Sequence, residues 1–239
     1  MLIAALTLAL HTAPSTAYRA EFLQAAPGRL LELIDFVKAE QAAAQAAGEA
    51  RPFLMRHSQG DRWDLLVLRP LGATAAEWLG PAGAARREKA RLTGVEHEVR
   101  FRALVTWHEE LYVTGPALDE VARQFENAGL AHVEAFLAAP GSYDKLLEQR
   151  RMEAAFSATL NRPALMIFER DPALGGASWD LFTIDLYRDL KHYADASTIP
   201  QEPGDAAAKK AGFANLADIG PTLRRFIASH HDTLAGVLR

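Results

Sequence analysis

Residues 18–28, Tyr-Arg-Ala-Glu-Phe-Leu-Gln-Ala-Ala-Pro-Gly, return as residues 131–141, Ala-His-Val-Glu-Ala-Phe-Leu-Ala-Ala-Pro-Gly. Other pieces return in the same order: Arg51-Pro52 as Arg162-Pro163, Leu54-Met55 as Leu165-Met166, Trp63-Asp64 as Trp179-Asp180, and His108-Glu109 as His231-Asp232. The offsets are 113, 111, 116 and 123, so the shift is nearly constant and drifts only across loops. A steady offset is typical of a tandem duplication, which predicts two copies of one folding unit.

Each copy has the order strand, helix, strand, strand, helix, strand. A short alternating strand ends at a Pro-Gly turn, and a helix with one apolar face follows. A hairpin with a Trp-led second strand comes next, then a helical region that we expect to end near His108 or His231, and a short final strand. This order is the ferredoxin-like motif. The sequence therefore predicts an α+β fold with repeat 1 at residues 18–115, a linker helix within 116–129 and repeat 2 at 130–239.

A strand ending in Pro-Gly, then a helix, then a Trp-led third strand resembles the dimeric α/β-barrel superfamily. That group includes the antibiotic-biosynthesis-monooxygenase-like and NIPSNAP-like domains. The resemblance implies that two ferredoxin-like units, usually in a homodimer but here in one chain, pair their antiparallel sheets into an α/β barrel. The layout is also similar to that of the haem-binding chlorite dismutases, which are fused pairs. The likeness covers residues 18–239 and rests on pattern and order, so no catalytic residue is carried over from those families.

The composition excludes several classes of protein. The 239 residues carry a formal charge of −4 with no run of Lys or Arg, which argues against a nucleic-acid partner. Without cysteine there is no thiol catalysis, disulfide or thiolate metal site. A hydrophobic content of 49% is ordinary for a globular protein.

The N-terminus differs from the rest of the chain. An apolar run from Leu2 to Leu10 precedes the small residues Ser15 and Ala17, a pattern that predicts a signal peptide over residues 1–17 and a periplasmic or secreted protein. The alternative is an extra strand or short helix packed on the domain of a cytoplasmic protein. The run is too short for a membrane span.

Polar side chains on the first and third strands of copy two are the strongest candidates for a site. His132 and Glu134 share one face of the first strand, and Asp185 and Tyr187 share one face of the third. Because the apolar faces are expected to cover the helices, we predict that all four side chains face the barrel interior. Barrels of this size either fill with side chains or hold one small ligand. The set is polar enough to favour a ligand, and the alternative is a satisfied polar network or a solvated sheet face.

Further residues extend this candidate pocket. Copy one places Arg19 and Glu21 on the equivalent face, so both are ligand-binding candidates. Arg150 replaces Val37 on the apolar stripe of the helix and is expected to pair with a carboxylate.

For the residues shared by both copies, we expect structural roles before functional ones. We expect the Trp of each Trp-Asp pair to cap the core and the Asp to accept backbone hydrogen bonds. His231 and Asp232 are predicted at a helix end, where a histidine satisfies the last carbonyls, and the alternative is ligand binding or acid–base chemistry. His230 is expected to pack in place of Trp107, with haem ligation as the alternative.

Three functions stay open from the sequence. The first is a protein that binds a small molecule and needs no cofactor, an oxygenase or isomerase in which His132 acts as general acid or base. Glu134 or Asp185 would orient His132, and Tyr187 would donate to a developing oxyanion. The second is a haem or metal protein with His132, His230 or His231 as ligand. The third is a non-catalytic binding or assembly module, and association of two chains into a homodimer stays open in each case.

Overall fold

The computed structural model describes residues 15–59, 61–174 and 178–239, without the side chains of residues 58 and 59. Eight strands form: β1 Ser15–Ala25, β2 Phe53–Gln59, β3 Leu65–Gly72, β4 Val105–Pro116, β5 Leu130–Ala138, β6 Met166–Arg170, β7 Leu181–Tyr187 and β8 Ile227–Leu238. The α-helices are α1 Leu30–Ala46, α2 Ala75–Leu79, α3 Pro81–Lys89, α4 Val95–Leu104, α5 Leu118–Glu126, α6 Tyr143–Thr159, α7 Leu190–Ser197, α8 Gln201–Ala211 and α9 Ile219–Arg224. A 3-10 turn at Leu216–Asp218 precedes α9.

The eight strands close into one antiparallel barrel in the order β1-β3-β2-β8-β5-β7-β6-β4. Within each copy the spatial order is fourth, first, third and second strand, which is the ferredoxin-like order. The two copies join where β2 pairs with β8 and β4 pairs with β6, so each supplies one edge to the other. The predicted fold class, two tandem ferredoxin-like repeats that form an α/β barrel, is confirmed.

Equivalent segments form equivalent elements in the two copies. Both Pro-Gly turns place glycine at positive φ, 76° at Gly28 and 72° at Gly141, and each is followed by a helix of 17 residues. Left-handed backbone carries no steric cost at glycine, so the turn can reverse the chain directly into the helix. The paired aspartates behave as predicted. Asp64 accepts a hydrogen bond from the N–H of Ala25, and Asp180 accepts the matching bond from Ala138.

The interior of the barrel is filled by apolar side chains from both copies. Phe22 of β1 meets Phe182 of β7 with ring centroids 6.2 Å apart, and Phe168 of β6 stacks on Phe182 at 4.8 Å. Val121 and Phe125 of α5 join the same core cluster. The linker segment therefore packs on the barrel core as well as connecting the two copies.

The prediction that His132, Glu134, Asp185 and Tyr187 face the barrel interior is wrong. Their strand neighbours belong to the interior cluster instead: Ala131, Val133 and Ala135 on β5, and Phe182, Ile184 and Leu186 on β7. The polar residues lie on the outer face, under the helices. Both faces of these strands are buried, one by the opposite wall of the barrel and one by helices, so alternation alone does not show which face is inside. Arg19 and Glu21, at the equivalent positions of copy one, also lie on the outer face and not on the inner one.

The predicted ends of the second helical regions are also wrong. His108 lies in β4 and His231 in β8, because α4 ends at Leu104 and α9 at Arg224. In the last strand of each copy, cross-strand pairing also shifts the alignment of the two copies by one residue from the one read from the sequence. Leu23 pairs with His108, and its equivalent Phe136 pairs with His230. The structural counterpart of His108 is therefore His230, and that of Glu110 is Asp232.

Two predictions about the organisation of the chain, the signal peptide and the repeat boundaries, stay predictions. The signal peptide and the secreted location rest on residues 1–17, of which 1–14 lie outside the described residues, while 15–17 form the start of β1. The repeat boundaries likewise stay a prediction. Of the helices within the described ranges, none combines the length and apolarity needed to cross a bilayer.

Candidate functional site

Three neighbouring strands of copy two set a row of polar side chains on the outer face of the sheet. His132 of β5 lies directly across from Asp185 of β7, and Glu134 of β5 lies directly across from Asp232 of β8. Because side chains opposite each other in an antiparallel pair project to the same face, the register alone brings these groups together. The cluster that the sequence predicted therefore exists, on the face opposite to the predicted one.

His132 is held between two carboxylates. Its Nδ1 lies 2.9 Å from Oδ1 of Asp185, and its Nε2 lies 2.7 Å from Oδ1 of Asp232. Burial disfavours the charged ring, but the hydrogen bonds to the two carboxylates outweigh burial and raise the pKa of His132 to about 11. The ring is therefore an imidazolium at neutral pH, so of the two roles expected from the sequence, general acid or general base, this state does not fit the base.

Tyr187 is also hydrogen-bonded within the cluster. Its hydroxyl donates to Oδ2 of Asp185, and burial together with that carboxylate raises the pKa of the phenol. The ring packs edge-on against Tyr193 of α7, which in turn lies against His132. With its one proton engaged by Asp185, Tyr187 is not placed as the oxyanion donor that the sequence suggested.

Arg150 of α6 is buried beneath this row, between two carboxylates. Its Nη1 lies 3.1 Å from Oε2 of Glu134, and its Nη2 contacts Glu153. The predicted pairing of Arg150 with a carboxylate is confirmed. Burial alone would raise the pKa of Glu134, but the hydrogen bond from His230 and the charge of Arg150 lower it to about 2. Burial raises the pKa of Glu153.

Copy one carries a related ion network with its charges in other places. Arg69 of β3, the counterpart of Asp185, lies 3.7 Å from Glu21 and 3.4 Å from Glu40. Arg19, the counterpart of His132, lies 2.8 Å from Glu21. Both copies thus bury an arginine between a strand glutamate and a helix glutamate. The His132–Asp185–Tyr187 arrangement has no counterpart in copy one, which separates it from the shared structural network.

The outer row of copy two also has the geometry of a candidate metal centre. His132, Glu134 and Asp232 each offer one ligand atom, and these atoms lie within 4.8 Å of one another. Asp185 holds the other nitrogen of His132, which is the carboxylate partner that metal-binding histidines commonly have. Asp232 is 55% exposed at its side chain, whereas that of His132 is 15% exposed, so the group is open to solvent on the Asp232 side.

Three other predicted site residues lie elsewhere. Arg19 and Glu21 pair with each other under the helices of copy one. Nδ1 of His231 lies 2.8 Å from Oδ2 of Asp61, so this histidine ties β8 to the β2–β3 loop and does not join Asp232 in a site. Glu153 completes the network and was not predicted as a site residue. His230, which the sequence offered as an alternative haem or metal ligand, lies 3.1 Å from Glu134 instead. The sequence signal was there: Glu153 repeats Glu40 at the offset of 113.

Comparison with known proteins bears on the fold. No protein-family model matches the chain, and no curated protein sequence matches it. Solved structures do match. An anthrone oxidase-like protein is 11% identical with a TM-score of 0.58, over 95% of this chain and 93% of that one. A proposed monooxygenase from Fusobacterium nucleatum subsp. nucleatum is 9% identical with a TM-score of 0.57, over 95% and 94%. A chlorite dismutase variant from Candidatus Nitrospira defluvii is 10% identical with a TM-score of 0.51, over 96% and 93%.

These likenesses define the class of the fold. The chain shares its fold, an α/β barrel built from two ferredoxin-like units, with these monooxygenase-like and chlorite dismutase-like structures. The expected resemblance is confirmed at that level. A closer relation to NIPSNAP-like domains stays a prediction.

Proposed function

We propose that the second copy binds a divalent metal ion through Nε2 of His132 and the carboxylates of Glu134 and Asp232, and that the bound ion acts on a small molecule. The observation that carries this proposal is the convergence of three ligand atoms within 4.8 Å on neighbouring strands. Nε2 of His132 lies 2.7 Å from Oδ1 of Asp232, so an ion bound to both would displace the proton of this hydrogen bond. Ligands must lose their protons when a metal binds, so the ion and the proton are alternatives at Nε2.

The local charge favours a cation. Four carboxylates, those of Glu134, Glu153, Asp185 and Asp232, are grouped around Arg150 and the rings of His132 and His230, so carboxylates outnumber the basic groups. Strands β5 and β8 fix the ligand residues by cross-strand pairing, which gives a more rigid placement than a loop would. Replacing one proton by a divalent ion would bring the cluster closer to neutrality.

The donor set indicates which ions fit. One imidazole with two carboxylates suits manganese, iron or zinc rather than copper(I), which prefers sulfur. Exposure on the Asp232 side leaves room for water or a substrate oxygen, as catalytic sites require. The bound ion would supply Lewis acidity or redox chemistry. The names of two neighbours, an oxidase-like protein and a proposed monooxygenase, favour oxidation of a small organic molecule as the reaction class.

Haem fits the described residues less well. His132 is held at both nitrogens, Nε2 of His230 lies 3.1 Å from Glu134, and Nδ1 of His231 pairs with Asp61. Four clefts of about 270–730 Å³ in the described part of the chain are lined by other residues than these three histidines. A porphyrin needs an open, flat pocket beside its axial ligand, so these clefts do not place haem on His132, His230 or His231.

Calorimetric titration of metal-stripped protein with manganese(II) and zinc(II) tests the proposal. We expect one ion per chain. Asp232→Asn should weaken binding roughly tenfold or more because it removes a charged ligand without disturbing a buried group. The matched control is Glu110→Gln, at the equivalent position of copy one, which should bind as the wild type does. Absence of binding in the wild type, or an equal loss in both variants, would refute the proposal.

A further inference from the structure

A second feature of copy two is a cleft of about 450 Å³ beside α5, where β7 ends and β6 begins. It lies between the linker region, at Arg123 and Asn127, and the turn after α6, at Asn161 and Arg162. Arg188 and His192 also line it. The volume lies in the range of small-molecule sites.

The side chains that line this cleft are basic. Arg123, Arg162 and Arg188 all contribute, and no Asp or Glu is among the lining residues. Within the described ranges none of these three guanidinium groups forms an ion pair, whereas Arg150 on the neighbouring helix contacts two carboxylates. Two acidic groups close to the cleft in sequence have other partners: Asp189 accepts the N–H of His192, and Asp195 pairs with Lys191.

Arg162 is the best-placed cation. Its Nε is buried and has no hydrogen-bond partner. A buried donor without an acceptor is costly, and an acceptor supplied by a ligand would remove that cost. The guanidinium lies over the ring of Phe156, 5.9 Å from its centroid, a cation–π contact that limits its movement. The group is thus held at the cleft before any ligand arrives.

We propose that this cleft binds a small organic anion through a carboxylate or phosphate group held by Arg162 and Arg188. Guanidinium groups bind both kinds of anion through paired hydrogen bonds. The amides of Asn127 and Asn161 can supply further polar contacts, and the floor of Ala128, Pro163, Ala164 and Leu186 can carry an apolar body. An organic anion matches this mixture better than a bare inorganic ion does.

The cleft adjoins the candidate metal centre without sharing its ligands. Tyr187 is one of the residues that line the cleft, and its hydroxyl donates to Asp185, which holds His132. Helix α7 contacts both sides, since His192 lines the cleft and Tyr193 packs against His132. The inference goes beyond the proposed function and does not depend on it, because no group of the cleft needs a metal.

Binding of benzoate and phenyl phosphate, compared with uncharged benzamide, tests the proposal. Titrations of the full chain are carried out with EDTA present, so that failure of the metal proposal does not affect the outcome. Nuclear magnetic resonance of the side-chain amides of Asn127 and Asn161 locates the bound probe. We expect at least one of the two anions to bind and to shift these amides, and benzamide to bind more weakly. We also expect affinity to fall as salt is added.

Two variants and a matched control complete the test. Arg162→Gln should weaken anion binding roughly tenfold or more, since hydrogen bonds to charged groups are strong. Arg188→Gln, at an exposed position, should weaken it without affecting folding, which covers the case in which Arg162→Gln is unstable. Arg51→Gln, at the equivalent of Arg162 in copy one, should leave binding unchanged. Equal binding of benzoate and benzamide, unmoved amides, or an equal loss in Arg51→Gln would overturn the proposal.

Discussion

Asp185 and His132 face each other directly across strands β7 and β5, with Oδ1 and Nδ1 2.9 Å apart. The counterparts in copy one are Arg69 and Arg19, a pair that cannot form this bond. The pair is therefore a property of copy two and not of the shared fold. It fixes the ring so that Nε2 points to Asp232, which is the geometry on which the proposed metal site depends.

Loss of this orienting carboxylate should weaken metal binding. Asp185→Asn keeps the shape of the side chain but removes its charge, and partners of this kind commonly change metal affinity by roughly 10- to 100-fold. Titration with manganese(II) measures the effect, and a thermal melt of each protein checks folding. Asp195→Asn, which removes an exposed carboxylate paired with Lys191, is the control. Unchanged affinity in Asp185→Asn would show that Asp185 has only a structural role.

Removal of Arg150 should destabilise the protein strongly. Arg150→Met leaves the buried carboxylates of Glu134 and Glu153 without their cation, and breaking a buried pair costs about 3–5 kcal/mol. Denaturant unfolding gives the free energy. The counterpart Arg69→Met should cost less, because Nε and Nη1 of Arg69 have no hydrogen-bond partner to lose. A cost below about 1 kcal/mol for Arg150→Met, in the range of exposed pairs, would contradict this account.

Asp61 should make stability depend on pH in the acid range. Burial disfavours its charged form, but hydrogen bonds with His231, the N–H of Arg62 and Trp63 outweigh burial and lower the pKa of Asp61 below 3.8. A lowered folded pKa stabilises the protein above the unfolded value, and this contribution disappears as the pH falls through the folded pKa. Urea unfolding from pH 6 to pH 2.5 (about 0.5-unit steps) compares the wild type with Asp61→Asn. The difference in unfolding free energy between the wild type and Asp61→Asn should be constant above about pH 5 and shrink below pH 3.8. A difference that grows on acidification would contradict the prediction.

The filled barrel predicts a large cost for an interior truncation. Phe182 is fully buried and contacts rings of both copies, so Phe182→Ala should lower the free energy of unfolding by about 3–5 kcal/mol. Leu137→Ala is the control, because Leu137 is 37% exposed and should cost less than about 1 kcal/mol. Similar losses for the two variants would mean that the interior is not packed as described.

Much of the fold could be predicted because its signals are local. The repeated Pro-Gly turns, the equal helices after them and the Trp-led strands each depend on a few neighbouring residues, and their repetition predicted the paired units. The grouping of His132, Glu134, Asp185 and Tyr187 followed from the two-residue period of a strand, which places alternate side chains on one face. That grouping needed no knowledge of neighbouring strands.

Only the tertiary structure decided whether this polar face of the strands is the inner or the outer face of the barrel. Strands covered by helices outside and by the opposite wall inside are apolar in both directions, so the pattern gives two faces without saying which is inner. The pairing of β5 with β8 likewise set the register, moving the counterpart of His108 from His231 to His230, and a slip of one residue exchanges the faces of a strand. Asp232 reached His132, 100 positions away, through the pairing of β5 with β8, and this contact forms only when the sheet of copy two assembles.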